Sequence, residues 1–125
     1  MKAAGKREKG SRLERQVAGL IRSKFNVAAT RMPMSGAFTH LKGDIFMPEY
    51  SKFPFMIECK NQEKVQLWQF WNQARDQATP GNREPVLVVS GNHRPILAIM
   101  EIDTLLNLQK TVNDLEETIK TLKSD

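Results

Sequence analysis

The 125-residue chain has few of the features that mark secreted, membrane or disulfide-stabilised proteins. Its single cysteine, Cys59, excludes a disulfide scaffold and a zinc site built from cysteines, and it is typical of a reducing compartment. No apolar run approaches the roughly 18 residues of a membrane span, and residues 1–6 lack the apolar stretch of a signal peptide. The hydrophobic fraction of 40% is enough for a core. We therefore expect one compact cytoplasmic domain.

Acidic residues are scarce at the beginning of the chain. Residues 1–31 contain nine basic and two acidic side chains, a net charge of +7. Residues 32–102 are neutral overall, and residues 103–125 carry a net charge of −2. A basic end on a neutral body is typical of proteins that bind a polyanion, most often nucleic acid. A solubilising tail explains the same charges equally well.

Hydrophobic periodicity predicts an α/β domain with the element order α-β-β-β-α-β-β-α, in which helices flank a central mixed sheet. Ser11-Arg12-Leu13-Glu14 has the pattern of a capping box, which predicts a helix from Ser11 to about Lys24 after a mobile basic arm at residues 1–10. The remaining predicted elements are, in chain order, strands at 25–31, 43–47 and 55–60, a helix at 66–78, strands at 85–89 and 96–100, and a closing helix capped by Asp103.

The segment Glu58-Cys59-Lys60, at the end of a predicted strand, carries the clearest chemistry. Alternate strand residues share a face, so Glu58 and Lys60 project together, while Cys59 faces away as a small core residue. If the strand that begins at Asp44 pairs with this one, the carboxylates of Asp44 and Glu58 converge. Two such ligands, completed by water, suit Mg²⁺ or Mn²⁺. A nearby lysine can polarise the attacking water in phosphodiester hydrolysis.

The same residues also have a purely structural interpretation. An acid-x-Lys pattern is expected by chance about once in a chain of this composition. An exposed Glu–Lys pair at a strand end contributes less than about 1 kcal/mol. The context favours chemistry, because Gly43-Asp44 lies on the preceding strand, Glu14 lies on the first helix and a helix follows Lys60.

The chain resembles the PD-(D/E)XK nuclease superfamily in a series of motifs on this order of elements: Glu14, Gly43-Asp44 and Glu58-Cys59-Lys60. The basic start at residues 9–14 and the loop with Ser35-Gly36 are similar to those of archaeal and phage Holliday junction resolvases. The resemblance covers about residues 9–100 and departs from the pattern at Gly43, where the motif has proline. It implies a restriction-endonuclease-like αβββαβ core at residues 11–102 and a bacterial, archaeal or phage gene.

The resemblance also implies roles for the residues of these motifs. Asp44, Glu58 and the Cys59 backbone carbonyl would bind Mg²⁺ or Mn²⁺, and Lys60 would be the catalytic lysine. Glu14 would bind metal through water or help to position it. This role competes with the capping box, because a carboxylate folded back onto the helix start cannot also reach the metal.

Basic and hydroxyl side chains near the metal edge are candidates for phosphate contacts. The loop at residues 31–42 is rich in such groups, although an ordinary surface connection is the alternative. By the resemblance, Ser35 matches a serine that contributes to catalysis in archaeal resolvases, and Arg12 matches a basic residue on their DNA-facing helix. The predicted DNA-binding residues are Lys6, Arg7, Lys9, Arg12, Arg31, Ser35 and Lys42.

The predicted helix at 66–78 carries both tryptophans. Trp71 falls on its apolar stripe and is expected in the core. Trp68 lies off the stripe, where it could stack on a base or pack at a subunit contact. The resemblance adds a functional glutamine on this helix in some superfamily members, for which Gln69 or Gln73 could qualify.

The closing helix has an apolar seam with the 3–4 spacing of a coiled coil over about two and a half heptads. Its members are Leu105, Leu108, Val112, Leu115, Ile119 and Leu122. Such a seam fits a contact between two copies of the chain, and the alternative is a helix that folds back over its own domain.

Taken together, the residues and the resemblance predict an Mg²⁺-dependent, structure-selective endodeoxyribonuclease. The favoured form is a homodimer that resolves Holliday junctions, because two copies place two active sites on a two-fold symmetric four-way substrate. A nicking or restriction-like nuclease of the same fold is one alternative. A DNA-binding module without catalysis is another, and the intact set of Asp44, Glu58 and Lys60 argues against it.

Overall fold

The computed structural model describes residues 3–32, 44–46 and 52–124, with side chains described within 9–32, 44–45 and 52–124. The elements in these ranges follow the predicted order α-β-β-β-α-β-β-α. They are helix α1 (Ala3–Phe25), strands β1 (Thr30–Arg31), β2 (Ile45–Phe46) and β3 (Phe55–Asn61), helix α2 (Leu67–Ala78), strands β4 (Glu84–Ser90) and β5 (Leu97–Ile99), and helix α3 (Ile102–Ser124). A 3-10 turn at Thr79–Gly81 follows α2.

The central sheet is mixed, as predicted. Strands β3 and β4 are parallel, with Glu58 opposite Leu87, whereas β4 and β5 are antiparallel. Strands β1 and β2 form a separate antiparallel pair. The N–H of Asp44 donates to the carbonyl of Ile57 at 2.8 Å, which attaches the start of β2 to the edge of β3. This contact brings the two predicted acidic motifs together.

Helices α1 and α2 pack on opposite faces of β3, because alternate strand residues point to opposite sides. Ile57 and Cys59 join a buried cluster with the apolar stripe of α1 and with Val86 and Val88 of β4. Met56 packs instead with Ala74 and Ala78 of α2. The prediction that Cys59 is a core residue is confirmed, and the fold is the predicted restriction-endonuclease-like α/β arrangement with an additional C-terminal helix.

The prediction that the first helix starts at Ser11 is wrong, because α1 begins at Ala3 and includes residues 3–10 of the predicted arm. Tertiary contacts hold this segment against the sheet. The Lys9 ammonium donates to Asn92 Oδ1 at 3.3 Å, and the Asn61 amide donates to the Lys9 carbonyl at 3.3 Å. The helix ends where Asn26 adopts the left-handed conformation, with φ 51°, and donates to the Arg22 carbonyl.

The first two strands are shorter than predicted. Strand β1 has two residues instead of the seven predicted at 25–31, because the chain first turns at Asn26 and then buries Val27 and Ala29 in the α1 cluster. Strand β2 also has two residues. Residues 33–43, which include Ser35 and Lys42 of the predicted phosphate-contacting loop, lie outside the described part of the chain.

Helix α3 extends from the domain with no buried residue along its length. The six seam side chains are 43–71% exposed. The alternative that the helix folds back over its own domain is therefore wrong for the described residues. Among the described helices, α3 included, none is long and apolar enough to cross a membrane.

Candidate active site

Asp44 is fixed at the edge of β3 by hydrogen bonds from both its backbone and its side chain. Its Oδ2 accepts the Cys59 N–H at 2.6 Å, and its carbonyl accepts the Met32 N–H at 2.8 Å. The N–H and C=O of one strand residue point to the same side, so the Cys59 carbonyl faces this edge and not β4. Burial raises the pKa of Asp44, while the bond from Cys59 and the charge of Lys60 oppose that rise.

Glu58 is the one buried charged residue within the described ranges, with 4% of its surface exposed. Its Oε1 lies 3.7 Å from Lys60 Nζ, and its buried Oε2 has no hydrogen-bond partner among the described residues. Burial, helped by the charges of Asp44 and Glu14, raises the pKa of Glu58 to about 7 against the opposing charge of Lys60. A buried carboxylate oxygen without a donor is costly, so this group is suited to a cation.

The Lys60 side chain lies between a carboxylate on the sheet and an aromatic ring on α2. Its ammonium lies beside Glu58 and 4.8 Å from the centroid of the Phe70 ring on α2. Contact with the ring face and with the carboxylate attracts the ammonium and restricts its position. The predicted pairing of Glu58 and Lys60 on one face is confirmed, and the aromatic partner is an addition that the sequence did not reveal.

Glu14 approaches the site from α1 through a contact with Arg31. The Arg31 guanidinium is 3.5 Å from Glu14 Oε1 and donates to Ser11 Oγ at 2.9 Å. The capping-box interpretation of Ser11 and Glu14 is wrong, because both residues lie inside α1. Burial and the charge of Asp44 raise the pKa of Glu14, and Arg31 opposes that rise. Arg31, predicted as a DNA contact, therefore lies within the carboxylate site.

The oxygen atoms at this edge are of the kind that a hard divalent cation binds. No group of three or more His, Cys, Asp or Glu side chains within the described ranges is arranged to hold a metal ion. The oxygen atoms that the structure places near this edge belong to the carboxylates of Asp44 and Glu58 and to the backbone carbonyl of Cys59. Mg²⁺ accepts such a set because it binds oxygen ligands and keeps several of its own waters.

Basic residues surround this edge on the α1 side. Lys9, Lys60 and Lys64 line one open cavity together with the end of β3. A neighbouring cleft lies between α1 and the turn from β4 to β5, and Lys9, Arg12 and Arg94 are among its lining residues. The structure thus brings the predicted Lys9 and Arg12 together beside the site. The side chains of the predicted Lys6 and Arg7 lie outside the described part of the chain.

Sequence reasoning missed Phe70 and Arg94. Nothing in the sequence links Phe70 to Lys60, because their contact depends on how α2 packs on the sheet. Arg94 follows the Gly91-Asn92 turn and could have been included as a basic residue at a strand end. The exposed position expected for Trp68 is confirmed, since 73% of its surface is accessible.

Comparison with known proteins agrees with this arrangement. A family described as "Phage putative PDDEXK endonuclease" matches residues 5–124. Protein D14 of Escherichia phage T5 is 31% identical over 103 residues, which cover 69% of this chain and 64% of the phage protein. The chain thus spans less than two thirds of the length of this curated relative. No solved structure matches the chain significantly.

Proposed function

Because the chain belongs to the phage PDDEXK endonuclease family, we propose that it is an Mg²⁺-dependent endodeoxyribonuclease that cuts branched DNA. The observation that carries the proposal is the convergence of Asp44, Glu58 and Lys60 at one edge of β3. Membership of this family supports nuclease activity with DNA as the substrate. The metal, the branched substrate and the individual roles are the proposal.

The residues at this edge divide the chemistry among them. Asp44, Glu58 and the Cys59 carbonyl would hold Mg²⁺ or Mn²⁺, and Glu14 would reach the metal through water. The bound cation would supply Lewis-acid stabilisation of charge on the phosphoryl oxygens. Lys60, held beside Glu58 and Phe70, would hold the attacking water in line with the leaving oxygen. Arg31 would keep Glu14 in place.

Branched DNA is proposed as the substrate because the cationic side chains near the site are positioned for phosphates and not for base edges. Lys9, Lys64 and Arg94 lie in open clefts that adjoin the end of β3, and no Phe, Tyr or Trp is among the residues that line them. Such contacts recognise backbone positions and DNA shape. The resemblance to Holliday junction resolvases, with Ser35 and Lys42 as further contacts, makes the four-way junction the preferred shape. The proposed place of action is the cytoplasm.

A nicking or restriction-like nuclease is the second candidate, because the same catalytic edge would serve it. Incubation with a four-way junction, linear duplex of the same sequence and single strands, each with Mg²⁺, Mn²⁺ or EDTA, separates the candidates. We expect metal-dependent cuts that are confined to the junction. Equal cutting of linear duplex would favour the second candidate. Binding without cutting under every metal condition would contradict both.

A further inference from the structure

Helix α3 presents an apolar seam that none of the described residues of its own domain covers. The seam residues are 43–71% exposed, although burial of such side chains from water is strongly favourable. A contiguous apolar surface of this length on a soluble domain marks an interaction site. The regular 3–4 spacing further restricts the partner to another helix, because only a helix presents matching holes for side chains at this spacing.

The composition of the seam indicates the kind of helical assembly. The first position of each heptad is occupied by Leu105, Val112 and Ile119, and the fourth by Leu108, Leu115 and Leu122. β-Branched residues at the first position with leucine at the fourth favour a parallel coiled coil of two helices. The seam is thus compatible with itself, which makes a second copy of this chain the occupant that fits.

The residues that flank the seam do not oppose this pairing. In a parallel pair, the flanking threonines Thr104, Thr111 and Thr118 of one chain face Gln109, Glu116 and Lys123 of the other. A neutral hydroxyl therefore opposes each of these side chains, and no like charges meet. Lys110 and Asp114, which form an ion pair at 2.9 Å within one helix, lie on the outer side.

The seam alone is short for a stable dimer. A coil of two and a half heptads is marginal in isolation, and specific interfaces bury about 1,200 Å² or more. Further apolar surface adjoins the start of α3, where Trp68 is 73% exposed, Ile102 is 65% exposed and Leu106 is 56% exposed. Leu67, Trp68 and Ile102 line one open apolar cleft between α2 and α3. The contact between copies can therefore continue from the helix onto the domain.

We propose that two copies of the chain associate through α3 as a parallel two-stranded coiled coil, extended by the surface around Trp68. Parallel helices place both domains at the same end of the coil, related by a two-fold axis along it. Two catalytic edges on one side of the dimer would then cut a two-fold symmetric junction in pairs. This consequence rests on the proposed function, whereas the association of the two copies does not.

Analytical ultracentrifugation without DNA or metal tests the association itself. We expect a species of twice the 14.3 kDa chain mass. The Leu115→Asp/Ile119→Asp double variant should sediment as a monomer, with the far-ultraviolet spectrum and melting temperature of the nuclease domain retained. The matched Asn113→Asp/Thr121→Asp variant adds two equal charges on the outer face of α3 and should remain a dimer. A monomeric wild type, a trimer or a dimeric seam variant would overturn the proposal.

Disulfide trapping tests the orientation, since the natural Cys59 is buried and its raised pKa, caused mainly by burial, makes it a poor competitor. In a parallel coil, Leu105→Cys and Leu122→Cys each form covalent dimers with themselves. In an antiparallel coil, only a mixture of the two variants does so. The outward-facing Glu117→Cys variant should give no dimer in either case. Trapping that requires the mixture would contradict the parallel arrangement.

The paired-cut readout keeps this proposal distinct from the nuclease proposal. On a four-way junction, the monomeric seam variant should cut one strand per encounter where the wild type cuts two. A wild type that dimerises but cuts nothing would contradict the nuclease proposal and leave the coiled coil supported. A wild type that cuts but sediments as a monomer would contradict the coiled coil and leave the nuclease proposal supported.

Discussion

Asp44 Oδ2 accepts the backbone N–H of Cys59 at 2.6 Å, across the gap between the second and third strands. The bond ties the carboxylate of the residue that precedes a two-residue strand to the seven-residue strand that carries Glu58 and Lys60. The position of the first acidic motif is therefore determined by the backbone of the second.

This relationship predicts that Asp44→Asn reduces cleavage without unfolding the protein. The asparagine can still accept the Cys59 N–H through its amide oxygen, but it brings no charge to a cation. We expect a loss of at least about 100-fold in single-turnover rate at fixed Mg²⁺, with junction binding in EDTA unchanged. A circular dichroism melt within a few degrees of the wild type is the control. Loss of junction binding together with activity would show that Asp44 has a purely structural role.

The raised pKa values of the carboxylates predict how stability depends on pH without metal. Glu58 has a pKa near 7 in the folded protein, against an ordinary value of 4.5. Its protonated form is favoured by folding, so its contribution to stability is present below pH 4.5 and is lost as the pH rises to about 7. Glu58→Gln should therefore stabilise the metal-free protein at pH 8, by on the order of 2 kcal/mol, and have little effect at pH 4.5.

Urea unfolding in EDTA at pH 4.5, 6 and 8 measures this difference between the two proteins. Glu101→Gln is a suitable control, because Glu101 is an exposed glutamate. An equal effect of Glu58→Gln at every pH would mean that burial of the charge is not what destabilises the metal-free fold.

The contact between Lys60 and Phe70 predicts a positioning role for the ring. Phe70→Leu keeps an apolar side chain on α2 and removes the attraction for the ammonium, which is about 0.5–2 kcal/mol. We expect a 2- to 30-fold lower cleavage rate with unchanged KM and an unchanged melting temperature within a few degrees. Phe70→Tyr retains the aromatic face and should restore most of the rate. Equal rates for the leucine and tyrosine variants would exclude a role of the ring in catalysis.

The cleft between α1 and the turn before β5 predicts a salt-dependent contribution to DNA binding. Lys9→Gln and Arg94→Gln should each weaken junction binding uniformly across sequences and lower the slope of log K against log salt by about 1. Lys110→Gln, on α3, should leave the slope unchanged. Binding measured by fluorescence anisotropy between 50 and 200 mM salt, concentrations at which such slopes are typically resolved, gives the comparison. An unaltered slope for both cleft variants would place the DNA elsewhere.

The sequence predicted the parts of the fold in which local pattern and tertiary packing agree. The apolar run of β4 and the alternation along β3 predicted the ends of those strands to within one residue. The apolar seam of α3 predicted a helix over the length that the structure shows. The start of α1 was missed because a capping pattern inside a helix has the same letters as one at its beginning. The start of the helix also contacts the sheet, through hydrogen bonds of Lys9 with Asn61 and Asn92 that no local pattern contains.

The candidate site likewise has contacts that the sequence predicts and contacts that it does not. Glu58 and Lys60 share a strand, so their common face follows from the two-residue repeat. The approach of Asp44 required only the pairing of neighbouring strands. The Arg31 contact with Ser11 and Glu14 could not be predicted, because it depends on the path of the chain between Asn26 and β1. The position of Phe70 under Lys60 depends on the rotation of α2 about its axis.

The most direct measurement of the central claim is single-turnover cleavage of a labelled four-way junction by the wild type and by Glu58→Gln, in Mg²⁺ and in EDTA. Glu101→Gln serves as the matched control. We expect cuts by the wild type and the control in Mg²⁺, no cuts in EDTA, and less than a few per cent of the wild-type rate for Glu58→Gln despite normal junction binding. Cleavage by Glu58→Gln at a rate close to that of the wild type would contradict it.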